Sequence, residues 1–384
     1  MSMLAHNEER WSRIPTLALW MILDKLCIIR HRVYFASVCK NWEFAAQSYR
    51  MMPQPCPWLM HRPNLPCTNW DLFNIFTKER INLHVPEFDL LETDFLCSKR
   101  GWLLFIDHGV ITVKERARCH TRRHAAPCFI LVNPSTDAKL KLPSLELKSY
   151  EGVENASVSL SEYDYPEHVV LNTYDALYIA SMEDKKWTKY PFESKEGDEF
   201  SVISNLVVYG SKVYCLTYRA ELAIFHMENL SWTKVYSNVD NHIDSYWRIL
   251  ESEGKIVMVG QARKLKPFIF FKLNDTSTCW EEMYQNDNEN SFLLYGNHNF
   301  SVKENEGIKR VYQLNNCQDK HACNRKVAHI DICNIASGSR ELYEPREQDG
   351  VDPPSHKGAV WVDLGWMGNL PPSCVMTPPK LKPL

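Results

Sequence analysis

The sequence predicts an α+β multidomain protein, with a small helical module at residues 11–50 followed by a degenerate β-propeller of six or seven blades. Three observations predict it. Apolar residues recur at helical spacing near the start of the chain, and beyond residue 85 they form short strand-like runs separated by turns. Trp187, Trp232 and Trp280 follow such runs at intervals of 45 and 48 residues, close to the roughly 40–50 residues of a propeller blade.

The composition predicts a globular protein that stays inside the cell. Of the 384 residues, 45% are hydrophobic, which is enough apolar material for a large core. The formal net charge of −3 excludes a protein that coats nucleic acid through its overall charge. Thirteen cysteines without a repeating spacing, together with the lack of a signal-peptide pattern and of long apolar runs, predict a soluble protein with reduced thiols. We therefore expect it in the nucleus, the cytoplasm or both.

Residues 11–50 predict two short helices. Pro15 suits a helix start, since its missing N–H is not needed in the first turn, and prolines after residue 52 prevent continuation of the second helix. The apolar stripes are Leu19, Ile22, Leu23 and Leu26 on the first helix, and Phe35, Val38, Cys39 and Trp42 on the second, with Ala45, Ala46 and Tyr49 as an extension. Helices this short need a partner surface, which is either the rest of this chain or another protein.

A resemblance lies in three motifs of this module: Trp11-Ser12-Arg13-Ile14-Pro15, then Leu19, Ile22-Leu23 and Leu26, then Val38-Cys39-Lys40-Asn41-Trp42. They are similar to the F-box of plant F-box proteins. The resemblance implies binding to a Skp-type adaptor, which bridges to a cullin and so to a ubiquitin-conjugating enzyme. The adaptor-binding residues that it implies are Ile14, Pro15, Leu19, Ile22, Leu23, Leu26 and Val38. We expect Trp42 and Cys39 to pack inside the module itself.

Residues 51–84 predict a connector, because they contain many prolines and little periodicity. Residues 85–384 then predict the propeller. Its strand-like runs, rich in β-branched and aromatic residues, are 102–106, 128–132, 206–209, 213–216, 256–259 and 268–271. A pair of β-sandwiches with tryptophans in their cores is the alternative, but sandwiches seldom repeat at this period.

The propeller segment carries a second resemblance. Its motifs are Gly101-Trp102-Leu103-Leu104, Leu131-Val132-Asn133-Pro134 leading to Leu142-Pro143, Val208-Tyr209-Gly210-Ser211-Lys212-Val213-Tyr214, and Pro371 to Pro378. In this order they are similar to the F-box-associated propeller domain of plant F-box proteins of the KIB type. The two resemblances together imply a substrate receptor of an SCF-type (Skp-cullin-F-box) ubiquitin ligase, whose propeller binds a client protein.

The sequence predicts no catalytic residue, cofactor site or metal site. Motifs for phosphate, dinucleotide, acyl-transfer or zinc-hydrolase chemistry are missing. Two clusters of cysteine and histidine lack the paired spacings of structural zinc sites, namely Cys317, His321, Cys323, His329 and Cys333, and Cys119, His120, His124 and Cys128. A basic run at 114–124 predicts a solvated loop rather than a nucleic-acid patch, since Glu115 interrupts it and no aromatic residues interleave. The alternatives to a ligase receptor are a propeller scaffold and, less favoured, a metal-dependent enzyme.

Overall fold

The computed structural model describes most of the predicted elements. The described residues are 11–25, 34–48, 58–61, 69–74, 80–84, 93–107, 110–112, 122–124, 127–133, 138–145, 147, 152–162, 164–183, 186–192, 202–235, 247–261, 268–274, 279–283, 290–294, 299–302, 309–315, 329–343 and 360–362. The predictions on Leu26, on Tyr49 and on Pro371 to Pro378 lie outside them. Within these ranges, no helix is long and apolar enough to cross a membrane.

Two helices form the N-terminal module, α1 at Thr16–Lys25 and α2 at Lys40–Ser48. The prediction that the second helix starts near Phe35 is wrong: Phe35 lies in a separate helical turn, and α2 begins at Lys40. The Ser37 hydroxyl donates a hydrogen bond to the Tyr34 carbonyl oxygen at 2.8 Å. Serine side chains compete in this way with the helical hydrogen bonds of the backbone, which is consistent with the interruption.

The module has an apolar core of its own. Its buried members are Leu19, Leu23, Phe35, Trp42, Ala45 and Ala46. The Trp20 indole N–H donates to the Ala45 carbonyl oxygen at 3.1 Å and so ties α1 to α2. Trp42 is buried in this core and Cys39 is half-buried against it, which confirms that both pack inside the module.

Five sheets have the four-stranded antiparallel form of a propeller blade. Blade 1 contains β1 (Trp58–His61), β2 (Asn69–Asn74), β3 (Arg80–His84) and β27 (Val360–Val362). Blade 2 contains β4 (Thr93–Lys99), β5 (Trp102–Asp107), β8 (Cys128–Asn133) and β9 (Ala138–Lys141), with a hairpin of β6 (Val110–Thr112) and β7 (Arg122–His124) between β5 and β8. Blade 3 contains β10 (Asn155–Leu160), β11 (Pro166–Asn172), β12 (Ala176–Ser181) and β13 (Trp187–Pro191). Blade 4 contains β14 (Ile203–Tyr209), β15 (Lys212–Thr217), β16 (Leu222–His226) and β17 (Ser231–Val235), and blade 5 contains β18 (Arg248–Ser252), β19 (Lys255–Gln261), β20 (Phe268–Asn274) and β21 (Cys279–Met283).

The remaining large sheet departs from the blade form. It has five strands in the order β23 (Phe300–Val302), β22 (Ser291–Leu294), β24 (Arg310–Asn315), β25 (His329–Asn334) and β26 (Arg340–Tyr343), with a parallel pair between β22 and β24. Across the described residues, the predicted six or seven blades are therefore corrected to five regular blades plus this sheet. The chain after β22 turns back as β23 on the inner side before it crosses to β24, and the sequence pattern does not indicate this extra strand.

The sheets follow one another around a ring. The first strands of successive blades contact one another, β4 with β10, β10 with β14 and β14 with β18, and β18 contacts β23 of the five-stranded sheet. Leu59 and Phe73 of blade 1 share a buried cluster with Leu293 and Tyr312 of the five-stranded sheet. The described sheets thus form the β-propeller that the tryptophan spacing predicted.

Ring closure corrects the predicted connector. Residues 58–84 form β1, β2 and β3 of blade 1 rather than a linker, and β27 from the far end of the domain pairs antiparallel with β1, with Met60 opposite Val360. Pro63 and Pro66, which indicated a connector, lie outside the described residues.

Both faces of each blade are buried, so successive residues of a strand face different neighbours. In β11, Val169 and Leu171 join the core shared with blade 2, whereas Val170 between them joins the core shared with blade 4. This follows from the two-residue period of a strand. It also explains why the central strands are nearly continuous apolar runs rather than alternating ones.

Gly260 of β19 packs against Trp247, which directly precedes β18, and a substitution at Gly260 tests this contact. A Cβ at this position would overlap the six-membered ring of Trp247, which is buried. We expect Gly260→Ala to lower the free energy of unfolding by about 1–3 kcal/mol, since the core cannot accept the added methyl without shifting the indole. Thermal unfolding measures the effect. Gly152→Ala is the matched control, because a Cβ there meets nothing within 4 Å; equal melting temperatures for the two variants would contradict this packing.

Strand β27 provides a test of ring closure. A chain that ends at residue 359 lacks the strand, whereas one that ends at residue 362 retains it. We expect the shorter chain to melt several degrees lower and to aggregate more readily, since the backbone groups at the edge of β1 lose their partners. Circular dichroism on heating and size-exclusion chromatography measure both effects. Identical behaviour of the two chains would show that this strand does not stabilise the ring.

Candidate functional site

Helix α1 is apolar around most of its circumference. Seven consecutive residues from Leu17 to Leu23 are apolar, and its polar residues lie only at its ends. Leu19 and Leu23 are fully buried in the module core. Leu17 and Met21, four residues apart on another side of the helix, are 68% and 64% exposed. A helix that is apolar all round is normally buried, so this exposed side is the strongest candidate for a docking surface.

The structure separates the seven predicted adaptor-binding residues. Leu19 and Leu23 lie inside the module, and Ile14 is half-buried against the same core. Pro15, Ile22 and Val38 are exposed, Ile22 at 37%. Leu26 lies outside the described residues. A partner can therefore reach only part of the predicted set directly, and the buried leucines contribute by holding α1 against α2.

Sequence reasoning missed several exposed apolar residues of the module. These are Trp11, Leu17, Met21, Tyr34 and Phe44. Together with Ile22 and Val38, they are seven of the thirteen exposed large hydrophobic side chains in the described part of the chain. The signal was present in α1, because the apolar run leaves no polar face. The predicted partner-facing stripe of Leu19 and Leu23 instead faces α2.

Polar contacts hold the start of the module against α2. The Asn41 amide donates to the Ile14 carbonyl oxygen at 2.9 Å, and the Trp42 indole N–H donates to the Trp11 carbonyl oxygen at 2.9 Å. The Trp11 and Trp42 rings meet edge to face with centroids 6.2 Å apart. These contacts position Trp11, Ile14 and the N-terminus of α1 relative to α2.

The three repeated tryptophans are structural. Each lies on the outer strand of its blade, Trp187 on β13, Trp232 on β17 and Trp280 on β21, and each packs at an interface with a neighbouring blade or sheet. The Trp187 indole N–H donates to the Pro143 carbonyl oxygen of the preceding segment at 2.8 Å. They therefore stabilise the ring instead of forming a ligand site.

The described residues offer no group of three or more cysteine, histidine, aspartate or glutamate side chains arranged to hold a metal ion. Of the two clusters considered from the sequence, Cys317, His321, Cys323, Cys119 and His120 lie outside the described ranges. Cys333 is buried on β25 and packs against residues of blade 5.

The buried cysteines are poor nucleophiles. Burial raises the pKa of the Cys97 thiol to about 12, with Lys99 opposing the shift. Burial also raises the pKa of the Cys215 thiol strongly. Since the thiolate is the reactive form, the raised pKa disfavours reaction at either residue.

Alkylation measures this difference in reactivity. At about pH 8, iodoacetamide should modify Cys97 and Cys215 slowly in the folded chain and quickly after denaturation, since both burial and a raised pKa suppress the thiolate. The half-buried Cys39, Cys128 and Cys279 are internal controls and should react faster. Peptide mapping by mass spectrometry measures each site. Rapid labelling of Cys97 in the folded protein would contradict its assignment to the core.

Comparison with known proteins identifies one family. The model of the KIB1-4 beta-propeller family matches residues 72–324, about two thirds of the chain. No curated protein sequence matches. The segment covers the end of blade 1, blades 2 to 5 and the start of the five-stranded sheet, so the matched region includes most of the ring.

Solved structures resemble the fold at low similarity. The structure of YCF48 bound to a D1 peptide has 11% identity and a TM-score of 0.36, over 68% of this chain and 75% of that one. The HIRA fragment 644–1017 has 16% identity and a TM-score of 0.30, over 50% of this chain and 54% of that one. The S. cerevisiae Dbp5 structure with Nup159, Gle1, IP6 and ADP has 11% identity and a TM-score of 0.32, over 75% of this chain and 66% of that one. Similarity this low transfers no function.

Proposed function

The chain belongs to the KIB1-4 beta-propeller family, and from this premise we propose that it is the substrate-recognition subunit of an SCF-type ubiquitin ligase. In this proposal, residues 11–50 are an F-box that binds a Skp-type adaptor and, through it, a cullin. The propeller binds a client protein, as suits a fold typical of interaction and scaffold proteins. The chain itself is not an enzyme, and its proposed location is the nucleus, the cytoplasm or both.

The observation that supports adaptor binding most directly is the exposed side of α1. Leu17, Met21 and Ile22 leave apolar area in water although the module already has a core. An amphipathic helix set that lays its exposed apolar residues in a groove of a partner is a common mode of recognition. The F-box-like motifs and this uncovered surface occur in the same helical module.

The energetics indicate how large the interface has to be. Burial of Leu17, Met21 and Ile22 contributes about 1.5–3 kcal/mol each. A micromolar complex requires about 8 kcal/mol after the entropic cost of association. Three residues reach about that value only before the cost of association is subtracted. The proposed interface therefore also includes Val38 and Phe44, which are exposed in the same module.

The proposed role in ubiquitylation is positional. A receptor that holds both the ligase and the client brings client lysines close to the ubiquitin carrier, which makes the transfer effectively intramolecular. This role requires a folded propeller and an accessible α1, and it requires no reactive side chain in this chain. A propeller scaffold without ligase function remains the rival proposal, and adaptor binding distinguishes the two.

Co-purification of the full chain with a Skp-type adaptor tests the proposal. We expect Leu17→Asp and Met21→Asp each to weaken binding roughly tenfold or more, since each places a charge in an apolar contact. Both side chains are exposed, so circular dichroism should show an intact fold. Leu230→Asp is the matched control, because Leu230 is an exposed leucine of blade 4, and it should bind as the unmodified chain does.

Leu23→Asp separates the two roles of α1. Leu23 is fully buried between the helices, so we expect it to abolish adaptor binding together with the helical signal of the module. Full adaptor binding by Leu17→Asp and Met21→Asp, or no binding by the unmodified chain, would favour the scaffold.

A further inference from the structure

Two buried amide oxygens of blade 3 have no hydrogen-bond donor among the described residues. They belong to Asn155, the first residue of β10, and Asn172, the last residue of β11. Asn155 is 4% exposed and Asn172 is 1% exposed. The Asn172 amide nitrogen donates to the Thr173 carbonyl oxygen at 3.2 Å, so its Oδ1 atom is the part of that side chain left unpaired. Buried polar atoms in folded proteins are almost always paired, so these two oxygens require a donor.

The two asparagines lie opposite each other and face the same neighbouring blade. β10 pairs antiparallel with β11, with Asn155 directly opposite Asn172. On β11, Val170 packs in the core shared with blade 4, so Asn172, two residues later, also faces blade 4. On β10, Ala156 packs towards blade 2, so Asn155 faces the other way, towards blade 4. The Cβ atoms of such a pair are about 4.5–5.5 Å apart, which places both amides at one site between blades 3 and 4.

Further polar side chains occupy this side of the two blades. The Ser157 hydroxyl, on the same side of β10 as Asn155, accepts a hydrogen bond from the Val208 N–H of blade 4 at 3.2 Å. On blade 4, the buried Thr217 ends β15 and faces blade 3, because Cys215, two residues earlier, packs in the shared core. The Thr217 hydroxyl accepts hydrogen bonds from two backbone N–H groups of the turn that follows it, so its O–H can donate in turn.

The chemistry of the two oxygens selects the ligand. A water molecule has two O–H donors, one for each acceptor, and buried waters make about three hydrogen bonds to groups that are otherwise unsatisfied. A calcium ion requires about six to eight oxygen ligands, normally with carboxylates among them. The described residues contain no group of three or more acidic, cysteine or histidine side chains that would supply them. The Asp175 carboxylate in the turn after β11 already accepts hydrogen bonds from Thr173 and Lys189.

We propose that Asn155 and Asn172 bind one structural water molecule at the interface of blades 3 and 4. The water donates one hydrogen bond to each Oδ1 atom and so joins β10 to β11 on the side that packs against blade 4. Thr217, on the facing side of blade 4, provides the donor for its third hydrogen bond. Loss of the water leaves two buried oxygens unpaired, which is costly. The site is part of the propeller itself and does not depend on adaptor or client binding.

A crystal structure of the full chain, at a resolution that shows ordered water, tests the proposal. We expect one density peak about 2.5–3.0 Å from both Oδ1 atoms. A direct hydrogen bond from the amide nitrogen of one asparagine to the oxygen of the other would overturn the proposal, as would the absence of a peak. A peak coordinated by roughly six oxygen atoms would identify a cation instead of water.

Asn155→Leu tests the site in solution, because leucine has a similar volume but accepts no hydrogen bond. We expect the variant to melt several degrees lower and its crystal structure to lack the peak, since the water loses one of its partners. Removal of an oxygen that is truly unpaired would instead leave the melting temperature unchanged or raise it, so either result would contradict the proposal. Asn229→Leu is the matched control, because Asn229 is exposed in the turn between β16 and β17 and the variant should melt as the unmodified chain does.

The identity of the ligand is tested by exchanging the salt. Melting temperatures of the unmodified chain in sodium chloride and in potassium chloride at equal ionic strength should agree, since water binding does not depend on the cation. A rise in melting temperature that is specific to one cation and is lost in Asn155→Leu would overturn the assignment to water. Adaptor co-purification of Asn155→Leu should be normal, which keeps this test separate from that of the proposed ligase function.

Discussion

Burial of both faces of every blade is the constraint on which the rest of the structure depends. A strand such as β11 sends Val169 and Leu171 to one neighbour and Val170 to the other, so no blade can satisfy its apolar residues alone. A row of such sheets remains stable only when its ends meet. This is why blade 1 combines three strands from the N-terminal side of the domain with β27 from the C-terminal side.

The closed ring leaves the turns at its two ends accessible to other molecules. The core residues lie between the blades. Residues of the turns at the two ends of the ring can therefore vary without disturbing the core. On one face the turns are joined by Arg100 and Asp164. On the other face, the buried threonines Thr173 and Thr217 precede the exposed tyrosines Tyr174 and Tyr218.

The helical module differs from the propeller, because large apolar side chains on it remain exposed. Its two helices bury one side of α1, while Leu17 and Met21 on the other side stay in water. A module of about 40 residues buries little apolar surface in its own core. Several large apolar side chains exposed on so small a module are typical of an interaction site.

The sequence by itself determined the class of the fold, because strand-like runs and the intervals between Trp187, Trp232 and Trp280 are local properties of the chain. It also located both helices, although not the start of α2. It could not identify residues 58–84 as a blade, since β1 is completed by β27, about 300 residues away, and no local pattern records such a pairing. Nor could it show that Leu19 and Leu23 face α2 while Leu17 and Met21 face water: a helix that is apolar on all sides has no preferred face until its neighbour is in place, and only tertiary packing decides which side remains for a partner.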